Sequence, residues 1–352
     1  MTPELLCIGN AMADVFIRAE GAVMDRLGLT EPVQHISSEQ AEWLLRELGG
    51  ITADGGIAAE AVIVSGGGAA NVAKIAALLG IKSAFLGRVG HDPFAEIFRR
   101  DLLDAGADPV LLPGRGKTGL CVILGDSRGE TRIAAAPGAA LELTKDDIAE
   151  AAVQNAEAVV LDGYILNRRP LIRRVLELAD KHGVPVALDA ASVFQVKERA
   201  EEILHYSRNY PLILFMNEDE TIAFYNSLRK TEDDHENRGR REKADWIIRE
   251  ICPVFKTITA GELFPVIAVK LGGRGAVIVA GGAVYRAKTL AVSPRNNTGA
   301  GDAFCAAFLA GWLRHKSIAR CAGLGNRVAR KILEVPGTRI DGQKLARFAK
   351  NL

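Results

Sequence analysis

The sequence predicts an α/β protein with a largely parallel sheet and helices on both of its faces. Three observations support this class. Short apolar runs alternate with longer segments of helical spacing, the pattern left by repeated βαβ units. Several of the helical segments stop at a glycine, as at Gly80, Gly106 and Gly183. The 352 residues are 48% hydrophobic and include 36 glycines, a composition that buries a large core and makes many tight turns. A chain of this length suggests two domains, and one large domain with an elaboration fits as well.

The first strand is Leu5 to Ile8, after which residues 12–35 interrupt the alternation. A glycine cluster at 65–71 leads into a helix from Asn71 to Leu79, then a strand from Ala84 to Leu86 and a helix from Pro93 to Ala105. A second interruption covers residues 117–137. There Leu120 to Leu124, a Gly-Asp-Ser-Arg-Gly turn and Glu130 to Ala134 read as a β-hairpin. Both interruptions are expected outside the main sheet, as a smaller flap. Regular alternation then resumes, with strands at Ala158–Leu161, Val184–Leu188, Leu212–Phe215, Val266–Leu271 and Ala276–Val279. The helices between them are Pro170–His182, Glu218–Leu228 and Lys243–Ile251, and a last one runs from Asp302 to His315. The charged stretch from Arg229 to Lys243 reads as a solvated loop or helix start.

Lys and Arg total 44 against 43 Asp and Glu, a net charge of +1, so neither nucleic acid nor an anionic membrane is indicated as partner. A small metabolite is the expected ligand. The five cysteines are widely spaced and never form a CxxC pair, which argues against a disulfide framework or a zinc site. The N-terminus lacks a basic region and a long apolar run, and no apolar stretch approaches a membrane span. A soluble, cytoplasmic protein is expected.

Two glycine clusters carry the chemistry. Asn297-Thr298-Gly299-Ala300-Gly301-Asp302 sets a small turn and a carboxylate before an apolar helix in which Phe304, Phe308 and Trp312 recur at i, i+4 and i+8. A helix start offers unpaired N–H groups and the positive end of its dipole to a phosphate, and glycines let the main chain approach it. The other cluster, Ser65 to Asn71, ends on an amide that can meet a substrate hydroxyl. Either cluster taken alone also reads as a capped helix start. Asn217-Glu218-Asp219-Glu220 follows an apolar strand and is placed to hold Mg²⁺ through water. Lys270 to Gly275 is a strand and tight turn, suited to a nucleotide contact or to an ordinary hairpin. Gly116-Lys117-Thr118 lacks the first P-loop glycine, since Leu111 stands there, and neither glycine cluster completes GxGxxG. HExxH does not occur, and Gly125-Asp126-Ser127-Arg128-Gly129, although it spells GxSxG, reads as a hairpin turn and not as the strand-to-helix elbow of an α/β-hydrolase.

With both clusters, their order and their separation in view, the chain resembles the PfkB carbohydrate kinase, or ribokinase-like, family over nearly its whole length. Gly9, Asn10 and Asp14 match the family's early turn, Gly66 to Asn71 its GGxxAN segment, and Gly87 to Phe94 its GxVGxDxF segment. Asn217 and Glu220 match NxxE, Lys270 to Gly275 the LGxxG strand and turn, and Asn296 to Asp302 the DTxGAGD segment. The resemblance implies a three-layer α/β/α fold with a small β-lid, formed here by about 12–35 and 117–137 within a single kinase domain, 1–352. It implies transfer of the ATP γ-phosphoryl group to an alcohol, with Asp302 as base and the N–H groups of Gly299, Ala300 and Gly301 stabilising the phosphoryl oxygens. Asp14, Gly67, Gly68 and Asn71 would hold the acceptor. Asn217, Lys270, Gly272, Gly275, Thr298 and Asn326 would border the nucleotide, with Glu220 reaching Mg²⁺ through water. The helix start alone should keep Asp302 ionised and only weakly basic.

Asn296 and Asn297 depart from the Asp-Thr of the family segment. In relatives this region helps bind an activating monovalent cation, so K⁺ dependence is left open. Gly68 stands where ribokinases commonly place Lys, which argues against ribose. The acceptor is expected to be a sugar or sugar derivative, with a nucleoside as the alternative. A nucleoside base would need an apolar or aromatic lid wall, for which Met12 and Phe16 are candidates. A non-catalytic binding protein of the same fold is a third reading, and the intact Asp302 and its glycines speak against it. A homodimer through the lid is compatible with such folds.

Overall fold

The computed structural model describes residues 2–31, 33–50, 62–126, 131–231, 239–260, 265–290, 292, 299–334 and 345. The chain begins with β1 (Leu5–Ile8), β2 (Met12–Arg18), α1 (Gly21–Arg26), β3 (Val33–His35), α2 (Ser38–Glu47), β4 (Val62–Gly66) and α3 (Gly68–Leu78). It continues through β5 (Ser83–Val89), α4 (Pro93–Asp104), β6 (Asp108–Pro113), β7 (Gly119–Gly125), β8 (Thr131–Ala136), α5 (Glu150–Gln154), β9 (Ala158–Asp162) and α6 (Arg169–His182). Next come β10 (Val186–Asp189), α7 (Val193–Asn209), β11 (Leu212–Asn217), α8 (Glu218–Arg229), α9 (Arg240–Trp246) and α10 (Cys252–Thr259). The last elements are β12 (Val266–Lys270), β13 (Ala276–Ala280), β14 (Ala283–Ala287), α11 (Ala300–Leu313) and α12 (Ile318–Leu333).

Nine strands form the main sheet in the order β14-β13-β12-β11-β10-β9-β1-β5-β6. From β12 to β6 every neighbouring pair is parallel, and only β13 and β14 run antiparallel at one edge. Period-2 alternation divides each strand between two cores. Leu6 and Ile8 of β1 pack with Leu171 of α6, Val196 of α7, Ile222 of α8 and Phe255 of α10. Leu5 and Cys7 point the other way, toward Val72 of α3, Phe98 of α4, Phe304 of α11 and Val328 of α12. Strands covered on both faces read as continuous apolar runs, which is why the sequence displays them so plainly.

A second sheet of five strands, β3-β8-β7-β2-β4, stands apart. Its β7–β8 pair is the antiparallel hairpin read from the sequence, although part of the turn, including Glu130, lies outside the described residues. One face of the sheet buries Ala13, Val15, Leu120, Val122 and Ala134 against Met24 of α1 and Leu44 and Leu45 of α2. Besides strands from 12–35 and 117–137, this sheet takes in β4, and α2 covers it; the sequence singled out neither. The helix expected to stop at Ile251 instead passes through a π turn at Ile247–Ile251 into α10. Pro253 falls in the first turn of α10, directly after the π turn. Residues 232–238 of the charged stretch lie outside the described residues, and Arg240 to Lys243 begin α9. No helix among the described residues is long and apolar enough to cross a membrane.

Candidate active site

Both glycine clusters start helices that converge on one carboxylate. Gly299 precedes α11 with φ 78°, and Asp302 is the third residue of that helix. Asn71, in the first turn of α3, donates from Nδ2 to Asp302 Oδ2 at 2.8 Å. The turn before α3 cannot carry side chains. Gly67 has φ 88°, and a Cβ there would strike the Asn10 carbonyl oxygen. A Cβ on Gly66 would strike the Asp14 carboxylate, and one on Gly68 would stand 3.5 Å from Asp302 Oδ1. The glycines thus bring Asp14 of β2 and Asp302 of α11 to the same short stretch of backbone.

Adjacent parallel strands add polar groups where their C-terminal ends meet the site, the usual location for a ligand in open α/β sheets. Asp162 ends β9, Asp189 ends β10, Asn217 ends β11 and Lys270 ends β12. Lys270 Nζ lies 2.7 Å from Asp189 Oδ2, to which Cys305 Sγ also donates at 3.0 Å. Asn217 and Glu220 form a reciprocal cap at the start of α8. Asn217 Oδ1 accepts from the Glu220 N–H at 2.8 Å, and the Glu220 carboxylate accepts from the Asn217 N–H at 2.7 Å and from Nδ2 at 2.8 Å.

The electrostatics are those of several carboxylates gathered in one recess. Withdrawal from water pushes Asp302 up to about 6, with the Asp189 charge adding to the rise and the Asn71 bond and Lys270 opposing it. The expectation of a weakly basic Asp302 is therefore corrected: burial and like charge outweigh the helix start. Burial raises Asp14 to about 7, against the pull of Lys74. It raises Asp162 to about 6 and Glu220 to about 7 by the same cause. Asp189 is the exception. Burial would raise it, but the Lys270 ammonium holds it below its usual value, and Lys270 in turn is raised by Asp189.

Two cavities meet here. The first, of about 430 Å³, is lined by Asp14, Gly67, Gly68, Asn71, Gly299, Gly301, Asp302 and Glu220, and also by Asn10 and Asp162. The second, of about 390 Å³, is lined by Gly272, Gly275, Ala300 and Asn326. Asn217, Lys270 and Gly301 border both. Asn326 Nδ2 donates to the Ala287 carbonyl at 2.8 Å, so it braces the wall of the second cavity. Thr298, with Asn296 and Asn297, lies outside the described residues. Met12 lines the first cavity, whereas Phe16, two residues beyond Asp14 on the same strand face, is half-buried and does not. Among the described residues no three His, Cys, Asp or Glu side chains gather as a metal site.

Sequence reasoning missed Asp162, Asp189 and Arg168. Asp162 has Oδ2 buried and unpartnered, while Oδ1 accepts from the Tyr164 N–H at 3.0 Å. Both aspartates were one residue beyond the expected strand ends, where an acid closing an apolar run is the available signal. Arg168 carried no such mark.

The two sheets, the cavities and the helix-start carboxylate define a three-layer ribokinase-like protein with a phosphotransferase architecture. The family model for pfkB family carbohydrate kinases matches residues 50–344, and the chain belongs to that family as an ATP-dependent carbohydrate or nucleoside kinase. A sugar kinase of Archaeoglobus fulgidus, described as uncharacterized, is 27% identical over 268 residues, 74% of this chain and 95% of that one. An ATP-dependent ribose-1-phosphate kinase of Halopiger xanaduensis is 28% identical over 264 residues, covering 74% of this chain and 77% of its own. Among solved structures, adenosine kinase from Sinorhizobium meliloti superposes with a TM-score of 0.80 at 26% identity, over 100% of this chain and 99% of that one.

Proposed function

We propose that the chain transfers the γ-phosphoryl group of ATP to a hydroxyl of a sugar or sugar derivative held in the first cavity, with the nucleotide in the second. The observation that carries this reading is the shared border of the two cavities at Asn217, Lys270 and Gly301, the last of these adjoining Asp302 in the chain. Asp302 orients the hydroxyl and takes its proton as the new O–P bond forms. The N–H groups of Gly299, Ala300 and Gly301 face the phosphoryl oxygens at the start of α11 and stabilise their charge. Asp14, Gly67, Gly68 and Asn71 hold the acceptor. Asn217, Lys270, Gly272, Gly275, Thr298 and Asn326 border the nucleotide, and the second sheet, centred on 12–35 and 117–137 of a single domain, acts as a lid that excludes water.

Mg²⁺ fits this site only as an ion carried mainly by phosphates. Of the α8 carboxylates, Glu220 lines the first cavity and Glu218 and Asp219 the second; both Glu220 oxygens already accept from Asn217, so it would reach the ion through water. The ion would supply neutralisation of phosphate charge. K⁺ dependence turns on Asn296 and Asn297 and is tested by replacing K⁺ with Na⁺. A homodimer through the lid would use the edge strands β3 and β4, where Val33 and Val62 are exposed; sedimentation tests it. The five cysteines, all unpaired, suit a reducing cytoplasm.

One observation favours a nucleoside as the second reading. The outer wall of the first cavity is apolar, with Met12, Val33, Ile123, Ile133 and Ala135, a surface on which a base could rest. ATP consumption measured across sugars, sugar acids and nucleosides with Mg²⁺, beside Asp302→Asn, decides between these readings. One acceptor class should turn over, and the variant should lose roughly three or more orders of magnitude while still binding nucleotide. Equal rates in variant and parent would overturn the mechanism.

A further inference from the structure

Arg168 does not line the first cavity, yet it is hydrogen-bonded to a residue that does. It directly precedes α6 and is largely withdrawn from water. Its Nη2 donates to the side-chain oxygen of Asn10, and its Nη1 donates to the carbonyl oxygens of Ala140 at 2.7 Å and Leu143 at 3.5 Å. A guanidinium has donors and no acceptor. The Asn10 atom facing it must therefore be Oδ1, because the flipped amide would set N–H against N–H. Nδ2 is left at the other end of an amide that is 8% exposed and borders the cavity. The main chain of Asn10 is fixed as well, since its carbonyl abuts the bare Gly67.

The fixed orientation matters because the cavity's charged acceptors are carboxylates, and three of its side-chain donors each already serve one of them. Asp14, Asp162 and Asp302 all present carboxylates. Asn71 Nδ2 gives one of its two N–H groups to Asp302, Asn217 Nδ2 one to Glu220, and Lys270 one of its three to Asp189. We propose that Arg168 is a positioning residue that locks the Asn10 amide with its N–H donors toward the cavity, and so selects acceptors presenting an oxygen or nitrogen lone pair there. A ring oxygen, a carbonyl or a hydroxyl oxygen satisfies it; a group that can only donate does not. The inference rests on the first cavity being the phosphoacceptor site.

The test combines kinetics with a readout that needs no turnover. In Arg168→Met the acceptor KM should rise about tenfold or more while the ATP KM stays within about twofold. Arg168→Lys, which keeps the charge but not the planar fork, should fall between. Asn10→Ala added to Arg168→Met should cost far less than Asn10→Ala alone. In the unliganded protein, the side-chain amide resonances of Asn10, assigned by their loss in Asn10→Ala, should move in Arg168→Met. Additive costs, or a parallel rise of both KM values with a fall in Tm, would mean that Arg168 only braces the 140–143 loop, and would overturn the proposal. Unmoved Asn10 resonances overturn it too. If the parent phosphorylates no acceptor, the assigned function fails, and the resonances alone decide whether Arg168 orients Asn10.

Discussion

Asn71 Nδ2 lies 2.8 Å from Asp302 Oδ2, joining the first turns of two helices whose contacting residues are 231 positions apart in sequence. The bond occupies one carboxylate oxygen and leaves Oδ1 as the atom nearer Gly68. It also favours the charged form of a group that burial disfavours.

Removing that donor should disturb both the orientation and the basicity of Asp302. Asn71→Ala is expected to lower kcat/KM by roughly 10- to 100-fold, as loss of a charge-assisted bond does. The same variant should shift the acid limb of its pH–rate profile upward. An unchanged limb would show that the bond has no hold on the base.

The pH dependence of the parent follows from the raised carboxylates. The base must be deprotonated, and Asp302 titrates at about 6 instead of near 4. Activity should therefore fall as the pH drops through about 6 to 7, where Asp302, Asp162, Asp14 and Glu220 take up protons. A profile flat down to pH 5 would contradict this.

Stability should run against function at Asp14. Its folded pKa, about 7, exceeds the ordinary aspartate value of 3.8, so the folded state prefers the neutral carboxyl. That preference adds stability in full below about pH 4 and is lost as the pH rises through about 7. Asp14→Asn should then stabilise the protein by roughly 1–3 kcal/mol at pH 8 and by little at pH 4. Its acceptor KM should rise. Denaturant melts at the two pH values check the sign.

Lys270 has the opposite character, because its removal strands Asp189. Lys270→Met should destabilise the fold by about 3–5 kcal/mol, as breaking a buried pair on one side does, and should raise the ATP KM. Adding Asp189→Asn should restore much of the stability without restoring the KM. If the double variant is no more stable than Lys270→Met, the ion pair is not the source of the loss.

The main sheet was legible because burial on both faces leaves unbroken apolar strands such as β9, β11 and β12. β4 and α2 were not, since a strand of the small sheet buries one face only, and α2 covers that sheet with few large apolar groups. In the site, Asp302 and Asn71 stood out by the glycines before them. Asp162 and Asp189 looked like ordinary strand ends, and what distinguishes them is the parallel register that sets β9 beside β10. No local pattern in sequence carries that neighbourhood. Arg168 depends on a partner 158 positions away.

Asp14 belongs to the small sheet, while Asn71 and Asp302 belong to helices packed on the large one. A molecule bonded to all three would staple the two sheets together. By linkage, whatever free energy it gains by bridging them must appear as resistance to their separation. A non-reacting acceptor analogue should therefore slow hydrogen exchange not only in the small sheet but in α2 behind it, which lines no part of the cavity.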